Sequence, residues 1–145
     1  MAFQTKEEIE NLIAQMQFLV NTIDHLIGNL DGLCAVLKSD RAGLSNHLQN
    51  IQLTLSKSRE LFIEQIALYT LLAHQSELPN VREAEETLDR IKGIEHEIIM
   101  NKSRLKYQAI VLPQFLIVAE GKKELPVPVK ENLVVVQKEL ELVAS

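Results

Sequence analysis

The chain has 145 residues, enough to enclose one core and too few for two sizeable domains. Its 20 acidic residues outnumber 15 basic ones, and the net charge of -5 opposes general attraction to a phosphate backbone, so nucleic acid is not an expected partner. With no Trp, 5 Gly and 4 Pro, and an apolar share built from Leu, Ile and Val, the composition favours long helices over short strands joined by turns.

The opening MAFQTKEEIE has no basic stretch followed by a short apolar run and a small-residue cleavage site, so no secretory leader is expected. Thr5 and Glu8 have the spacing of a capping box and predict a helix start. Beyond them Ile9, Ile13, Met16, Val20, Ile23, Ile27, Leu30, Cys34 and Leu37 recur in steps of four and three, with Leu12, Leu19, Leu26 and Leu33 as a second row. An apolar face this wide suits a helix lying against two or more neighbours rather than a two-stranded seam. Cys34 sits within it, and as the single cysteine it reads as a buried, inert thiol.

The same register continues through Arg41, Leu44, Leu48, Ile51, Leu55, Ser58 and Phe62, which admits one continuous helix of about 80 Å. The alternative is a hairpin broken at KSDRAG. Lys38 suits the negative end of a helix, Ser39 and Asp40 suit a new cap, and Gly43 costs about 1 kcal/mol inside a helix. The hairpin is the expectation. From Leu61 to Ala73 apolar residues occupy nearly every side, predicting a helix end enclosed all round. Pro79 stops that helix. Asn80 and Glu83 open a third, carrying Val81, Ala84, Leu88, Ile91, Ile94, Ile98, Leu105 and Ala109.

Tyr107 to Ala119 is an uncharged run that as a helix spans about 20 Å, short of the roughly 30 Å of bilayer hydrocarbon, so no stable membrane insertion is expected. Pro113 interrupts it. The expectation is a kinked helix continuing to a C-cap at Gly121, with QFLIVA as a short buried piece. KKELPVPVK reads as a polar, extended linker. In the remaining ENLVVVQKELELVAS, Leu133, Val136, Leu140 and Val143 share one helical face, while the three successive valines also allow a strand. The expected organisation is a helical bundle over 1–121, a linker over 122–130 and a C-terminal element over 131–145 that packs on the bundle or on a partner.

None of the four histidines lies in a catalytic signature. The positions three before His25, His47, His74 and His96 are Thr22, Leu44, Leu71 and Gly93, so the Glu-x-x-His motif of di-iron bundles is missing. HEIIM at His96 starts like a zinc protease helix, but Met100 stands where the second His belongs. DHLIG at His25 has no neighbouring cation of the kind that steadies a phosphoryl group. No metal or cofactor is expected. Lys102, Arg104, Lys106 and Tyr107 form the densest basic cluster, but Glu95 and Glu97 lie close by and a solvated face accounts for it.

A scarcity of charge is more informative. Between Asn11 and Leu37 the only ions are Asp24 and Asp31, and between Ala42 and Ser56 there are none. A neutral solvated face explains this, and so does a second face that meets another helix, in a self-assembly or with a different protein. The sequence therefore predicts an all-α antiparallel bundle of three long helices plus a short C-terminal element. Its expected role is a non-enzymatic, cytoplasmic interaction module: an adaptor, assembly factor or secretion-type chaperone that binds another protein or itself, with a homo-oligomer expected. The candidate contact residues are Phe115, Ile117, Leu133, Val136, Leu140 and Val143. The rival readings are a phosphorelay or enzyme centred on His25 or His96, and a membrane-surface helix over Tyr107–Ala119 flanked by Lys102, Arg104, Lys106, Lys122 and Lys123.

Overall fold

The computed structural model describes residues 5–37, 41–75 and 81–145, and every regular element among them is a helix. These are α1 (Lys6–Leu37), α2 (Ala42–Gln75), α3 (Val81–Lys122) and α4 (Val127–Ala144). At 1.5 Å per residue the 42 residues of α3 extend about 60 Å. The single long rod over residues 9–62 is not formed, since α1 ends at Leu37 and α2 starts at Ala42. The capping roles read for Lys38, Ser39, Asp40, Pro79 and Asn80 fall outside the described residues. At the start of α1 the Glu8 N–H donates to Thr5 Oγ1 at 3.1 Å, the hydroxyl half of the expected box.

Polar cross-links give the relative directions. On α1 and α2, Asp24 pairs with Arg59, Asp31 with Gln52 and Cys34 with Ser45. On α2 and α3, Asn50 pairs with Gln108, Thr54 with Asn101 and Gln65 with Ile91. Ala109 accepts from Gln137, and Lys102 reaches Ser145, between α3 and α4. In each set the numbers rise on one helix as they fall on the other, so successive helices run oppositely. α2 packs along both α1 and α3, while α4 lies against α3 and α1 on the far side.

α2 is therefore buried on two faces. Leu44, Leu48, Ile51, Leu55 and Leu72 are all but fully enclosed, each contributing about 1.5–3 kcal/mol over exposure. Its polar residues Ser45, His47, Thr54, Ser58 and Gln65 are buried as well. Asn101 of α3 donates to Thr54 O at 2.9 Å and to Ser58 Oγ, and Gln65 Nε2 donates to Ile91 O at 3.3 Å. Buried amides need such partners, and these fix the lengthwise register of α3 on α2. The missing charges between Ala42 and Ser56 thus have a cause inside the chain: the second face of α2 meets α3.

Other expectations need correction. Ile63 and Leu71 are 41 % and 39 % exposed, so the Leu61–Ala73 end is not enclosed all round. That end lies between the first half of α1 and the first half of α3, whereas α4 pairs with α3 only from Lys102 onward. Residues 127–130, expected to be extended, form the first turn of α4. Val129 N and Lys130 N donate to Pro126 O at 3.0 and 3.1 Å, and Pro128 is tolerated because N–H groups in a first turn have no intrahelical acceptor. The three valines are helical too, with Val136 buried and Val134 and Val135 on the outside. Tertiary packing of one face overrides their β preference. Gly121 lies inside the last turn of α3, one residue before its end.

α3 runs on through Pro113 to Lys122. Proline has no N–H, so the Ala109 carbonyl one turn earlier loses its intrahelical donor. Two side chains from other helices serve this place. Gln137 Nε2 of α4 donates to Ala109 O at 2.9 Å, and His47 Nε2 of α2 lies 3.0 Å from Gln108 O. A carbonyl only accepts, so the His47 proton sits on Nε2. Gln137→Ala is expected to cost about 1–2 kcal/mol in urea unfolding, and less than half of that in a Pro113→Ala background where residue 113 regains an N–H. Equal costs in the two backgrounds would remove the compensation argument.

Candidate interaction surface

The six candidate contact residues do not form one surface. Leu133, Val136, Leu140 and Val143 are at most 2 % exposed and face inward, seating α4 between α1 and α3. Phe115 is half-buried and stacks on His47, ring centroids 4.2 Å apart and nearly parallel. Ile117 is 72 % exposed. QFLIVA is thus not wholly buried: Ala119 faces in, but Ile117 and Val118 face out. The α1–α4 seam is polar. Asn29 and Asn132 exchange two amide hydrogen bonds at 2.7 and 2.6 Å, and His25 Nδ1 donates to Glu139 Oε2 at 3.3 Å.

What the structure does bring together is an outward stripe on the second half of α3. Lys106, Ile110, Pro113, Ile117 and Glu120 follow steps of four, three, four and three, and so lie along one side of the helix. Ile110 and Ile117 are 64 % and 72 % exposed, and Val134 of α4, 55 % exposed, stands on the opposite bank. Two clefts run beside the stripe, one of about 450 Å³ against Val134 and one of about 510 Å³ against Ile110; they share Pro113, Gln137 and Glu141, and Ile117 lies outside both. Lys130 salt-bridges Glu120 at 3.5 Å and Glu124 at 3.2 Å across one end. Those contacts, led by the hydrogen bond to Glu124, hold the Lys130 ammonium pKa above its ordinary value.

Sequence reading missed Ile110 and Pro113 as surface residues because Tyr107–Ala119 was taken as a single apolar block, and Val134 and Gln137 because only the Leu133–Val143 face of the last segment was singled out. The available signal was the offset between two stripes. Leu105, Leu112 and Ala119 recur every seven residues and are buried, and the Ile110–Ile117 pair recurs on another side.

The groups with chemical potential are dispersed. His25 is largely exposed beside Glu139, and His96 lies on the exposed side of α3. Among the described residues no three His, Cys, Asp or Glu side chains converge on one point, and no described helix is long and apolar enough to cross a membrane. Burial, together with the Asp31 charge and against a weak hydrogen bond to Ser45 O, raises the Cys34 pKa, so its thiol stays protonated at neutral pH. Of the basic cluster, Lys102 is tied to Ser145 O at 3.3 Å and Lys106 lines the second cleft.

Comparison with known proteins adds no assignment: no family model matches the chain, and neither a curated protein nor a solved structure matches it. The burial contrast is testable by chemical denaturation. Ile117→Ser should change stability by no more than about 0.5 kcal/mol, whereas Leu140→Ala should cost about 2–5 kcal/mol. Similar costs for both would mean that α4 and the end of α3 are not packed as described.

Proposed function

We propose that this chain is a non-enzymatic protein–protein interaction module: an antiparallel bundle of three long helices and a short fourth, acting in the cytoplasm as an adaptor, assembly factor or secretion-type chaperone. The observation that carries the reading is the exposed stripe of Ile110, Pro113 and Ile117 on α3, beside two adjoining clefts of which one reaches Ile110 and the other Val134, rimmed by Lys106, Glu120, Lys130 and Glu141. A contiguous apolar face with a charged border has the anatomy of a contact surface: its centre gains from leaving water, and its rim sets orientation. Val134 and Gln137 hold their places on the cleft because Leu133, Val136, Leu140 and Val143 anchor α4 beneath them. Those four residues support binding at one remove. Their face is also one that an incoming amphipathic helix can take over by displacing α4.

Native gel filtration of an extract from the source cells tests this. The wild-type chain should elute well above its own 16.4 kDa, as should a His25→Ala/His96→Ala double variant. Ile117→Asp combined with Val134→Asp should shift it to the monomer position while circular dichroism stays unchanged. Wild-type protein eluting as a monomer, an assembly that survives the two aspartates, or one lost with the histidines would overturn the reading.

A further inference from the structure

We infer that the occupant of the α3 stripe is a second copy of the same chain, paired antiparallel about a two-fold axis close to Pro113. The inference rests on the interaction reading above and names the partner for that surface.

Lys106 lies seven residues before Pro113 and Glu120 seven after it. Seven residues are close to two full turns, so both charges sit on the same side as Pro113, about 10 Å from it in opposite directions. Turning the helix end for end about Pro113 therefore lays the Lys106 of one copy beside the Glu120 of the other, and the reverse pair follows by symmetry. The same rotation sets Ile110 against the second copy's Ile117, to within one residue, or about 1.5 Å, along the axis. An apolar pair on each side of the axis with opposite charges beyond it is self-complementary. A foreign partner would have no reason to produce that mirror order.

The flanking observations agree. Lys106 has no ion-pair partner among the described residues, and Glu120 shares its carboxylate only with Lys130 at 3.5 Å, with its side chain 40 % exposed. Pro113 at the axis leaves no N–H to be masked by the approaching chain, and the Ala109 carbonyl is already occupied by Gln137. A surface with so few apolar anchors falls among small, reversible interfaces, so a Kd on the order of 10–100 µM is expected.

Sedimentation equilibrium on purified chain, from about 5 to about 500 µM, reads this directly. The wild-type mass should rise from 16.4 kDa towards twice that value. Ile117→Asp should raise Kd at least about tenfold, while Leu53→Asp, at an exposed site on α2, should leave it unchanged. The deciding arm uses Lys106→Glu and Glu120→Lys. Each alone faces like charges twice across the axis and should stay monomeric, but an equimolar mixture restores two opposite pairs and should dimerise. All variants are surface changes whose folding circular dichroism checks, and Leu53→Asp controls for a general effect of a new charge. A wild-type chain that remains 16.4 kDa throughout, insensitivity to Ile117→Asp, or a mixture no tighter than its components would each overturn the self-pairing. If pure protein is monomeric while the cell-extract assembly persists and still depends on Ile117 and Val134, self-pairing fails and the interaction surface stands.

Discussion

The architecture depends on α2 having to be buried on two sides at once. Its buried Leu and Ile residues face α1 and α3 together, and no stretch of α2 between Ala42 and Ser56 carries an ion that would resist that. With α1 and α3 both committed to α2, their remaining apolar edges flank a common groove, and α4 is the helix that lies there. Because α4 has only 18 residues, it covers the groove over one half of the molecule. The two halves therefore differ: four helices surround the core towards Leu44 and Leu112, and three described helices towards Leu72 and Ala84. Ile63 and Leu71, like Leu53, lie on the side of α2 turned away from its neighbours and stay partly open.

Proline inside a long helix is normally disruptive, by about 3 kcal/mol or more. Here the surrounding helices supply what the backbone lacks. Gln137 reaches the orphaned carbonyl of Ala109, and His47 hydrogen-bonds the adjacent carbonyl of Gln108 while stacking on Phe115. The contact between α3 and α4 that satisfies the Ala109 carbonyl also shapes the outer clefts, since Pro113 and Gln137 are in the lining of both. Local chemistry and the candidate surface are one arrangement viewed from inside and outside.

Much of the fold was legible from spacing alone. Arg41, Leu44, Leu48, Ile51, Leu55, Ser58 and Phe62 were one predicted stripe and all but the half-buried Arg41 are buried, and Leu133, Val136, Leu140 and Val143 are likewise on the inner side of a helix. Periodicity reports which side of a helix is apolar, and that side is inside. It does not report which neighbour lies there, so it could not separate a second face meeting α3 from one meeting another molecule. Nor does an apolar residue on every side guarantee a neighbour on every side, which is why the Leu61–Ala73 end was expected to be enclosed while Ile63 and Leu71 are partly open. The Pro126–Lys130 turn was misread because prolines suggest extended backbone when counted, and suit a helix start when positioned. The exposed side of Ile117 was hidden in a run whose two stripes, seven residues apart in repeat, overlap in the sequence.

The tether before α4 is only residues 123–126, and Arg41 Nη2 holds it by donating to Lys123 O at 3.1 Å and Glu124 O at 3.3 Å. So short a leash keeps the fourth helix near its berth at an effective concentration of order millimolar. A rival helix at micromolar level starts about a thousandfold behind the resident, a handicap of about 4 kcal/mol before any contact is compared. Exchange of that segment thus selects for strong or locally concentrated competitors and screens out casual ones.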